Sequence, residues 1–332
     1  MVNLRGVDMT ISDEFQFIKN IKPDKLFHED KVVGIGDDAA IFQIEADCDQ
    51  VICVDTMVED VHFAEKTMDP FSIGYKALAS NISDIAAMGG IPLYYLVSIT
   101  IPPHWSEEKL VELYKGMESL AKEYRMDLIG GDTTSTSSKL VLSVTVIGKV
   151  EKGKRLLRSN AKKGDVVFVS GTVGDAAAGL DLLLHEKKKV DSLIRAHQKP
   201  SPRVELGRIV SSFKRVSLND ISDGLSSELL EIAEASYVDI YIEEKCLPIS
   251  QHVLDYNNSN ALKWALTGGE DFELVGTIAK KDWDTLLQTC KEKNIDIAHI
   301  GYVEEGTGKA FLKRDGKVEA LSKSGFNHFH DR

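Results

Sequence analysis

The chain has 332 residues, more than one hydrophobic core usually organises, so its length predicts two domains. Its hydrophobic fraction of 43% and charged fraction of 28% are those of a folded globular protein. The formal net charge of -12, with no long Lys- and Arg-rich run, argues against a nucleic-acid partner. No apolar segment approaches the ~20 residues that a membrane-spanning helix needs, which argues against a membrane partner. The four cysteines form no C-x-x-C pair, which fits a reducing, cytoplasmic location and gives no zinc motif.

Strand-like apolar runs alternate with helical patterns along the chain, which predicts a mixed α and β fold. The predicted strands cover 51–56, 93–101, 140–150, 165–171, 238–243 and 272–278. The predicted helices cover 70–90, the segment from the cap residue Ser106 to Tyr124, the segment from the 165–171 strand to residue 186, and "RVELGRIVSSF" after Pro202. A Lys-, Arg- and Gly-rich stretch at 151–163 breaks the alternation. We therefore predict two domains, 1–150 and 151–332.

Acidic residues recur beside glycine where a predicted strand ends or a predicted helix begins. The motifs are "GIGDDAA" (34–40), "GGDTT" (130–134), "SGTVGDAAAG" (170–179), "DISDGLSS" (220–227) and "GGEDFEL" (268–274). Any one of them is also explained by turn chemistry or by a helix N-cap. Asp84 is an independent signal, because a helix there places its carboxylate on one stripe with the apolar Ile73 and Ala77. Such a carboxylate needs a partner, and an ion pair with Lys76 is the competing structural explanation.

Convergent carboxylates repel one another, by about 4 kcal/mol for a pair 4 Å apart at an effective dielectric near 20, so an acid cluster needs positive charge. The motifs contain almost no Lys or Arg and lack the Cys and His ligands of zinc sites, which favours a hard cation such as Mg²⁺ shared with a substrate's phosphates. The glycine turns in "GGDTT" and "SGTVGDAAAG" are predicted to present backbone N–H groups to an anion. Neither a Walker P-loop nor a dinucleotide fingerprint occurs.

The order and spacing of nine motifs resemble those of the thiamine-monophosphate kinase family, within the aminoimidazole ribonucleotide synthetase-like superfamily. The motifs are "GIGDDAA", "DTMVEDVHF", "YKALASNISDIAAMGG", "GGDTT", "RSNAKKGD", "SGTVGDAAAGL", "SPR", "DISDGLSSEL" and "GGEDFEL", and the resemblance runs from about Asp13 to Phe329. It implies an α/β fold with an N-terminal α/β domain, whose sheet pairs with its twin in a homodimer, and a C-terminal α/β domain that closes over the nucleotide. The implied reaction converts ATP and thiamine monophosphate to ADP and thiamine diphosphate, with several Mg²⁺ ions and K⁺ as a candidate monovalent ion.

The resemblance also implies roles for individual residues, matched motif by motif. Metal ligands would be Asp38, Asp55, Asp84, Asp132, Asp220 and Asp223, with the backbone of Val54. ATP contacts would be Tyr114, Gly131, Asp132, Arg158 and Ser222, and thiamine monophosphate contacts would be His62, Glu270 and Phe326. A carboxylate and an aromatic face suit the cationic thiazolium of that substrate. Asp37 serves the turn or supports Asp38, while capping and core packing are the alternative explanations for His62 and Phe326.

The acceptor phosphate has a second pKa near ~6 and is already largely anionic at neutral pH, so no general base or covalent nucleophile is required. Arg158 is the candidate for stabilising the transition state of a direct, in-line transfer. Three positions depart from the family pattern: Cys53 and Val54 stand where hydroxyl residues are common, and Phe326 stands where Tyr or Trp occurs. The alternatives are another ATP-using synthetase of the superfamily and a non-catalytic, Mg²⁺-dependent nucleotide-binding protein.

Overall fold

The computed structural model describes residues 14–23, 25–28, 32–33, 35, 39–185 and 190–325 of the chain. Asp38 and Phe326, a predicted metal ligand and a predicted substrate contact, lie outside the described residues, as does Asp37. The chain divides into two compact units, Met1–Asn81 with Pro92–Lys149 and Ile82–Ile91 with Val150–Arg332. The predicted domains 1–150 and 151–332 stay a prediction. No described helix combines the length and the apolar character needed to cross a membrane.

The first unit is built on a four-stranded sheet. Its elements are α1 (Glu14–Ile21), β1 (Val32–Val33), β2 (Ile41–Phe42), β3 (Cys48–Val58), α2 (Pro70–Ala87, which continues into the second unit), β4 (Ile91–Ile101), α3 (Glu107–Tyr124), β5 (Asp127–Ser135) and β6 (Val141–Glu151). The strand order is β3-β6-β4-β5, with β4 and β5 parallel. Helix α3 begins as predicted, because the Ser106 side chain accepts from the backbone N–H of Lys109. Helices α2 and α3 contribute a core that includes Leu78, Leu110 and Met117.

The second unit is built on a seven-stranded sheet in the order β13-β12-β9-β11-β7-β10-β8. Its elements are β7 (Asp165–Ser170), α4 (Asp175–His185), α5 (Asp191–Gln198), α6 (Val204–Val210), β8 (Val216–Asp220), α7 (Leu225–Ser236), β9 (Val238–Glu243), α8 (Gln251–Thr267), β10 (Leu274–Ala279), α9 (Trp283–Glu292), β11 (Ile297–Glu305), β12 (Lys309–Arg314) and β13 (Lys317–Ala320). Neighbouring strands are antiparallel except β9 and β12, which run parallel. The main core lies between this sheet and α7, with Val167, Leu229 and Ile240 fully buried.

All six strands predicted from apolar runs are present, as are the predicted helices. The prediction of a glycine turn at "GGDTT" is wrong, because residues 130–134 lie inside strand β5 and pair with strand β4. Gly131 pairs with Val97, and a Cβ atom at Gly131 would lie 2.0 Å from the Val97 carbonyl oxygen. The glycine therefore allows a close approach of two strands at this position.

Candidate active site

Two of the predicted motifs in the second unit are joined directly through their backbones. The N–H of Glu270 donates to the carbonyl of Ser222 at 2.7 Å, and the N–H of Phe272 donates to the carbonyl of Ile221 at 2.9 Å. A third bond runs from the N–H of Ile221 to the carbonyl of Glu273 at 2.7 Å. The loop after β8 and the loop before β10 are therefore held together by backbone hydrogen bonds. These bonds bring the predicted ATP contact Ser222 next to the predicted substrate contact Glu270.

The loop before β10 has an unusual backbone. Glu270 and Phe272 have positive φ angles of 67° and 50°, which residues other than glycine rarely adopt. Such strain persists only where the surroundings hold it, and it concentrates at functional sites. The carboxylate of Glu270 lies 3.7 Å from Nδ1 of His197, a histidine with 2% of its side chain exposed. The backbone bonds and this contact fix the direction of the Glu270 side chain.

The predicted metal ligands of the second unit lie on three different segments. Asp220 ends strand β8, is 4% exposed, and accepts from the hydroxyl of Ser83 at 2.8 Å. Asp84 follows Ser83 on helix α2 and is partly buried, on the stripe that the sequence predicts, where Ile73 and Ala77 are buried. Asp223 is exposed in the loop between β8 and α7. A neutral hydroxyl is thus one partner of the buried Asp220.

Glu228 lies beneath this loop and was not predicted from the sequence. It belongs to the first turn of helix α7, is 3% exposed, and accepts from the backbone N–H of Asp223 at 3.1 Å and from the hydroxyl of Ser222 at 3.4 Å. Its other oxygen accepts from the side-chain amide of Asn219. Burial first, and then the negative charge of Asp220, raise the pKa of Glu228 to about 8. In the sequence, Glu228 looks like any acidic residue near a helix N-terminus, so no local pattern distinguishes it.

Arg158 is connected to strand β8 and helix α7, on either side of this loop. Its Nε donates to Oδ1 of Asn219 at 3.0 Å, and one of its terminal nitrogens lies 3.1 Å from a carboxylate oxygen of Glu231. The carbonyl of Arg158 accepts from the hydroxyls of Ser217 and Ser236 at 2.6 and 2.7 Å. The backbone is therefore fixed on two sides, while about half of the side chain is exposed and able to meet an anionic ligand.

In the first unit, three predicted residues lie on or next to strand β3. The backbone N–H of Asp55 donates to Oδ1 of Asn81 at 3.1 Å. Burial raises the pKa of the Asp55 carboxyl, while a hydrogen bond from Ser80 and the nearby His62 lower it. His62 accepts from the backbone N–H of Val58 at 3.0 Å, which orients its ring. The side chain of Val54 is 61% exposed.

The neighbouring Cys53, which stands where the family often has a hydroxyl residue, donates from its thiol to the carbonyl of Asn81 at 3.3 Å. The thiol thus contacts the backbone of helix α2, close to the amide that holds Asp55. The remaining predicted residues of this unit differ in exposure: Asp132 and Gly131 are exposed on β5. Tyr114 is 7% exposed in α3, where its ring meets Phe17 edge-on and burial raises its pKa. Its predicted contact with adenine stays a prediction.

The loop between β7 and α4 does not offer the open N–H groups that the sequence predicts. The backbone N–H groups of Gly174 and Ala176 donate to the two carboxylate oxygens of Asp271 at 2.7 and 3.0 Å. The start of the helix is thus capped by an acid from "GGEDFEL". Burial raises the pKa of Asp271 to about 8, although these two donors act in the opposite direction. The Asp271 carboxyl occupies the position that an external anion would take, which the sequence could not indicate because Asp271 lies almost a hundred residues away.

The donor chemistry fits the predicted Mg²⁺. The predicted side-chain ligands are all carboxylates, and the charges of Asp220, Glu231 and Asp223 each raise the pKa of Glu228. This accumulation of negative charge favours a cation, and carboxylate oxygens are the ligands that Mg²⁺ prefers. Within the described residues, one set of three potential ligand atoms lies within 4.8 Å of one another, Glu45, Asp47 and Cys48, which is not the predicted set.

Comparison with known proteins bears on this arrangement. Residues 36–150 match the family model "AIR synthase related protein, N-terminal domain", and residues 162–313 match the corresponding C-terminal domain. The thiamine-monophosphate kinase of Bacillus subtilis is 53% identical over 324 residues, covering 96% of this chain and 99% of that protein. The enzyme of Haemophilus influenzae is 38% identical over 328 residues, covering 96% of this chain and 98% of that protein.

Solved structures agree with these matches. The thiamine-monophosphate kinase of Stenotrophomonas maltophilia superposes with a TM-score of 0.80 at 34% identity, covering 92% of this chain and 96% of that one. AaThiL complexed with AMPPCP and TMP gives a TM-score of 0.76 at 30% identity, covering 95% of each chain. The hydrogenase maturation protein HypE shares the fold, with a TM-score of 0.78 at 18% identity, covering 96% of this chain and 98% of that one.

The two domain matches and the mixed α and β architecture define an AIR synthase related protein, which confirms the predicted fold class. Within that class, identities of 53% and 38% over nearly the whole length show that the chain belongs to the thiamine-monophosphate kinase family. It is therefore a kinase, as the motifs predict.

Proposed function

We propose that this chain transfers the terminal phosphoryl group of ATP to the phosphate of thiamine monophosphate, giving thiamine diphosphate and ADP. The sequence match supports the reaction as a whole, because the Bacillus subtilis relative covers 96% of the chain at 53% identity. A relative that is 30% identical binds both AMPPCP and TMP. The structural observation that carries the proposal is the backbone connection between Ser222 and Glu270, at 2.7 Å. It places a predicted ATP contact beside a predicted substrate contact.

We further propose the division of roles that the motifs predict. Arg158, Ser222 and Gly131 bind ATP with Tyr114 near the base, and the guanidinium of Arg158 compensates charge on the transferring phosphoryl group. Glu270, His62 and Phe326 hold thiamine monophosphate, with the carboxylate facing the thiazolium cation. The acceptor phosphate needs no base because it is already ionised. The site residues therefore position the substrates and neutralise their negative charge, and they do not transfer protons. A covalent phosphoenzyme that turned over competently would contradict this direct transfer.

The residues that would hold Mg²⁺ are Asp38, Asp55, Asp84, Asp132, Asp220 and Asp223, with the backbone of Val54. When bound, Mg²⁺ supplies charge neutralisation and orientation of phosphate oxygens. In the second unit, Ser83 orients Asp220 and Glu228 orients the backbone of Asp223. Asp84→Asn is expected to reduce turnover by orders of magnitude with little loss of folded protein. Loss of thermal stability with full specific activity in the folded fraction would instead favour a structural role.

A second copy of the chain is the proposed partner, as the family resemblance implies. Strand β3 lies at one edge of the four-stranded sheet of the described residues, and its Ile52 and Val54 are 65% and 61% exposed. Exposed apolar side chains on an edge strand are a liability unless another surface covers them. We also propose a cytoplasmic location, because all four cysteines are free thiols, as is usual in a reducing compartment.

The test is a direct assay with purified protein, Mg²⁺-ATP and thiamine monophosphate, in which thiamine diphosphate is measured by chromatography. Product is expected only when all three are present, and varying KCl tests the candidate K⁺ requirement. Unphosphorylated thiamine is the control acceptor. Equal ATP consumption with thiamine, or ATP binding without product, would contradict the kinase and favour another ATP-using synthetase or a non-catalytic nucleotide-binding protein.

A further inference from the structure

We propose that Glu228 is a positioning residue that sets the geometry of the nucleotide site; this inference rests on the proposed function. The carboxyl group contacts Asn219 in strand β8 and two residues of the loop that follows it. Oε1 accepts from the hydroxyl of Ser222 at 3.4 Å and from the backbone N–H of Asp223 at 3.1 Å, and Oε2 accepts from the side-chain amide of Asn219. One buried group thus orients a predicted ATP contact and the backbone of a predicted metal ligand.

The contact with Asn219 extends this influence to Arg158. Asn219 donates through its nitrogen to Glu228 and accepts through its oxygen from Nε of Arg158 at 3.0 Å. The same nitrogen also donates to a carboxylate oxygen of Glu231 at 3.3 Å. Because an amide has one donor end and one acceptor end, the acceptors at Glu228 and Glu231 together decide which end faces Arg158. Glu228 therefore helps to hold the asparagine in the orientation that Arg158 needs.

Glu228 acts through its neighbours rather than as a ligand. Each of its two oxygens already accepts a hydrogen bond from the protein, and the residue is 3% exposed. A carboxyl group that is buried at this depth and hydrogen-bonded through both oxygens is suited to orienting its neighbours, which is how supporting residues raise the precision of a site.

Glu228→Gln tests the proposal, because it keeps the shape but turns one acceptor oxygen into a donor nitrogen. That nitrogen would face the nitrogen of Asn219, so the asparagine amide has to turn and present a donor to Arg158. We expect kcat to fall roughly 10- to 100-fold and KM for ATP to rise, as is typical when an orienting residue is lost. Glu205→Gln is the matched control, since Glu205 is also a first-turn glutamate in the second unit but pairs with Lys293 at the surface.

The sharper test is the double variant Asn219→Asp with Glu228→Gln, which exchanges donor and acceptor between the two positions. The introduced aspartate can accept from both Arg158 and the nitrogen of the introduced glutamine, whose oxygen can still accept from Ser222 and Asp223. We expect the double variant to recover most of the lost kcat, whereas each single variant is impaired. Such coupling in a double-mutant cycle is a property of a direct contact.

Calorimetric binding of a non-hydrolysable ATP analogue and thermal unfolding are measured for every variant, so that activity is referred to folded protein. If wild-type protein makes no thiamine diphosphate, the proposed function fails. If the wild type is active and Glu228→Gln matches it in kcat, KM and analogue binding, the positioning role fails. Should the single variant not fold, the double variant decides: folded and active supports the role, while folded and inactive, or unfolded, overturns it.

Discussion

The two units hold their predicted site residues by different means. In the first unit, Asp55 lies on β3 and Asp132 on β5, where pairing within the sheet fixes the backbone. In the second unit, Ser222 and Asp223 lie in a loop whose shape depends on hydrogen bonds to Glu228 and to the loop before β10. A substitution on one of these strands should therefore affect only the substituted residue's own role. A substitution in the loop should alter the positions of several site residues together.

The largest expected effect comes from removing one predicted metal ligand in each unit. Asp220→Asn and Asp132→Asn should each reduce kcat about 10³-fold, because a bound metal contributes several kcal/mol to catalysis. The two variants should differ in stability. Asp220 is 4% exposed and its charge contributes to the raised pKa of Glu228, so above pH 8, where Glu228 is ionised, Asp220→Asn relieves a repulsion and should raise Tm by about 2–4 °C without Mg²⁺.

Asp132 is exposed on its strand, so Asp132→Asn should leave Tm unchanged. Steady-state kinetics and calorimetry on the same preparations measure both quantities. Equal Tm shifts in the two variants would show that the units do not differ as proposed. Full activity in either variant would remove that residue from the set of predicted ligands.

The next largest effect concerns the surface of the two sheets. Ile52→Asp on β3 should convert the proposed dimer to a monomer, because it places a charge on an apolar edge strand. Val318→Asp is the matched control, since Val318 is 54% exposed on β13, an edge strand of the described part of the second unit. Sedimentation velocity measures the mass of each variant. Dissociation by the control alone, or by neither variant, would contradict a β3 interface.

A smaller effect is expected from the end of the described chain. A Cβ atom at Gly325 would lie 1.7 Å from the carbonyl oxygen of Asp223, so only glycine fits this close approach. Gly325→Ala should displace the segment just before Phe326 and raise KM for thiamine monophosphate about tenfold, the effect of roughly 1.4 kcal/mol of lost binding. KM for ATP should change less, and Ser324→Ala should resemble wild type. An equal rise in both KM values would show a general distortion of the loop.

The sequence predicts six of the thirteen described strands, because each of the six contains an apolar run, as in the fully buried β7. Strand β13 could not be found in this way, since all four of its residues are exposed. Two of the predicted site motifs meet in the second unit, but their meeting depends on backbone bonds that the sequence does not reveal. Glu228 and the capping role of Asp271 likewise depend on contacts between separate segments, and no local pattern encodes them.

The smallest expected effect is a pH dependence of stability at Asp271, the acid that caps α4. Its pKa is raised to about 8 in the folded chain, above the ordinary value of 3.8, because the carboxyl is buried. The protonated form is therefore favoured on folding, and the resulting stability is present at acid pH and lost as pH rises toward 8. Asp271→Asn cannot ionise, so its free energy of unfolding relative to wild type should increase between pH 5 and pH 8.

Urea unfolding at the two pH values measures this difference. A tenfold difference in proton affinity between the folded and unfolded chain corresponds to about 1.4 kcal/mol. Asp284→Asn, in the exposed first turn of α9, is the control and should follow wild type in parallel. A relative stability of Asp271→Asn that stays constant between pH 5 and pH 8 would mean that the N–H groups of Gly174 and Ala176 dominate and hold the carboxylate ionised across this range. In that case substitution of Asp271 would have only a local effect, like substitution of the acids on strands of the first unit. Burial of the carboxyl group would then cost no stability.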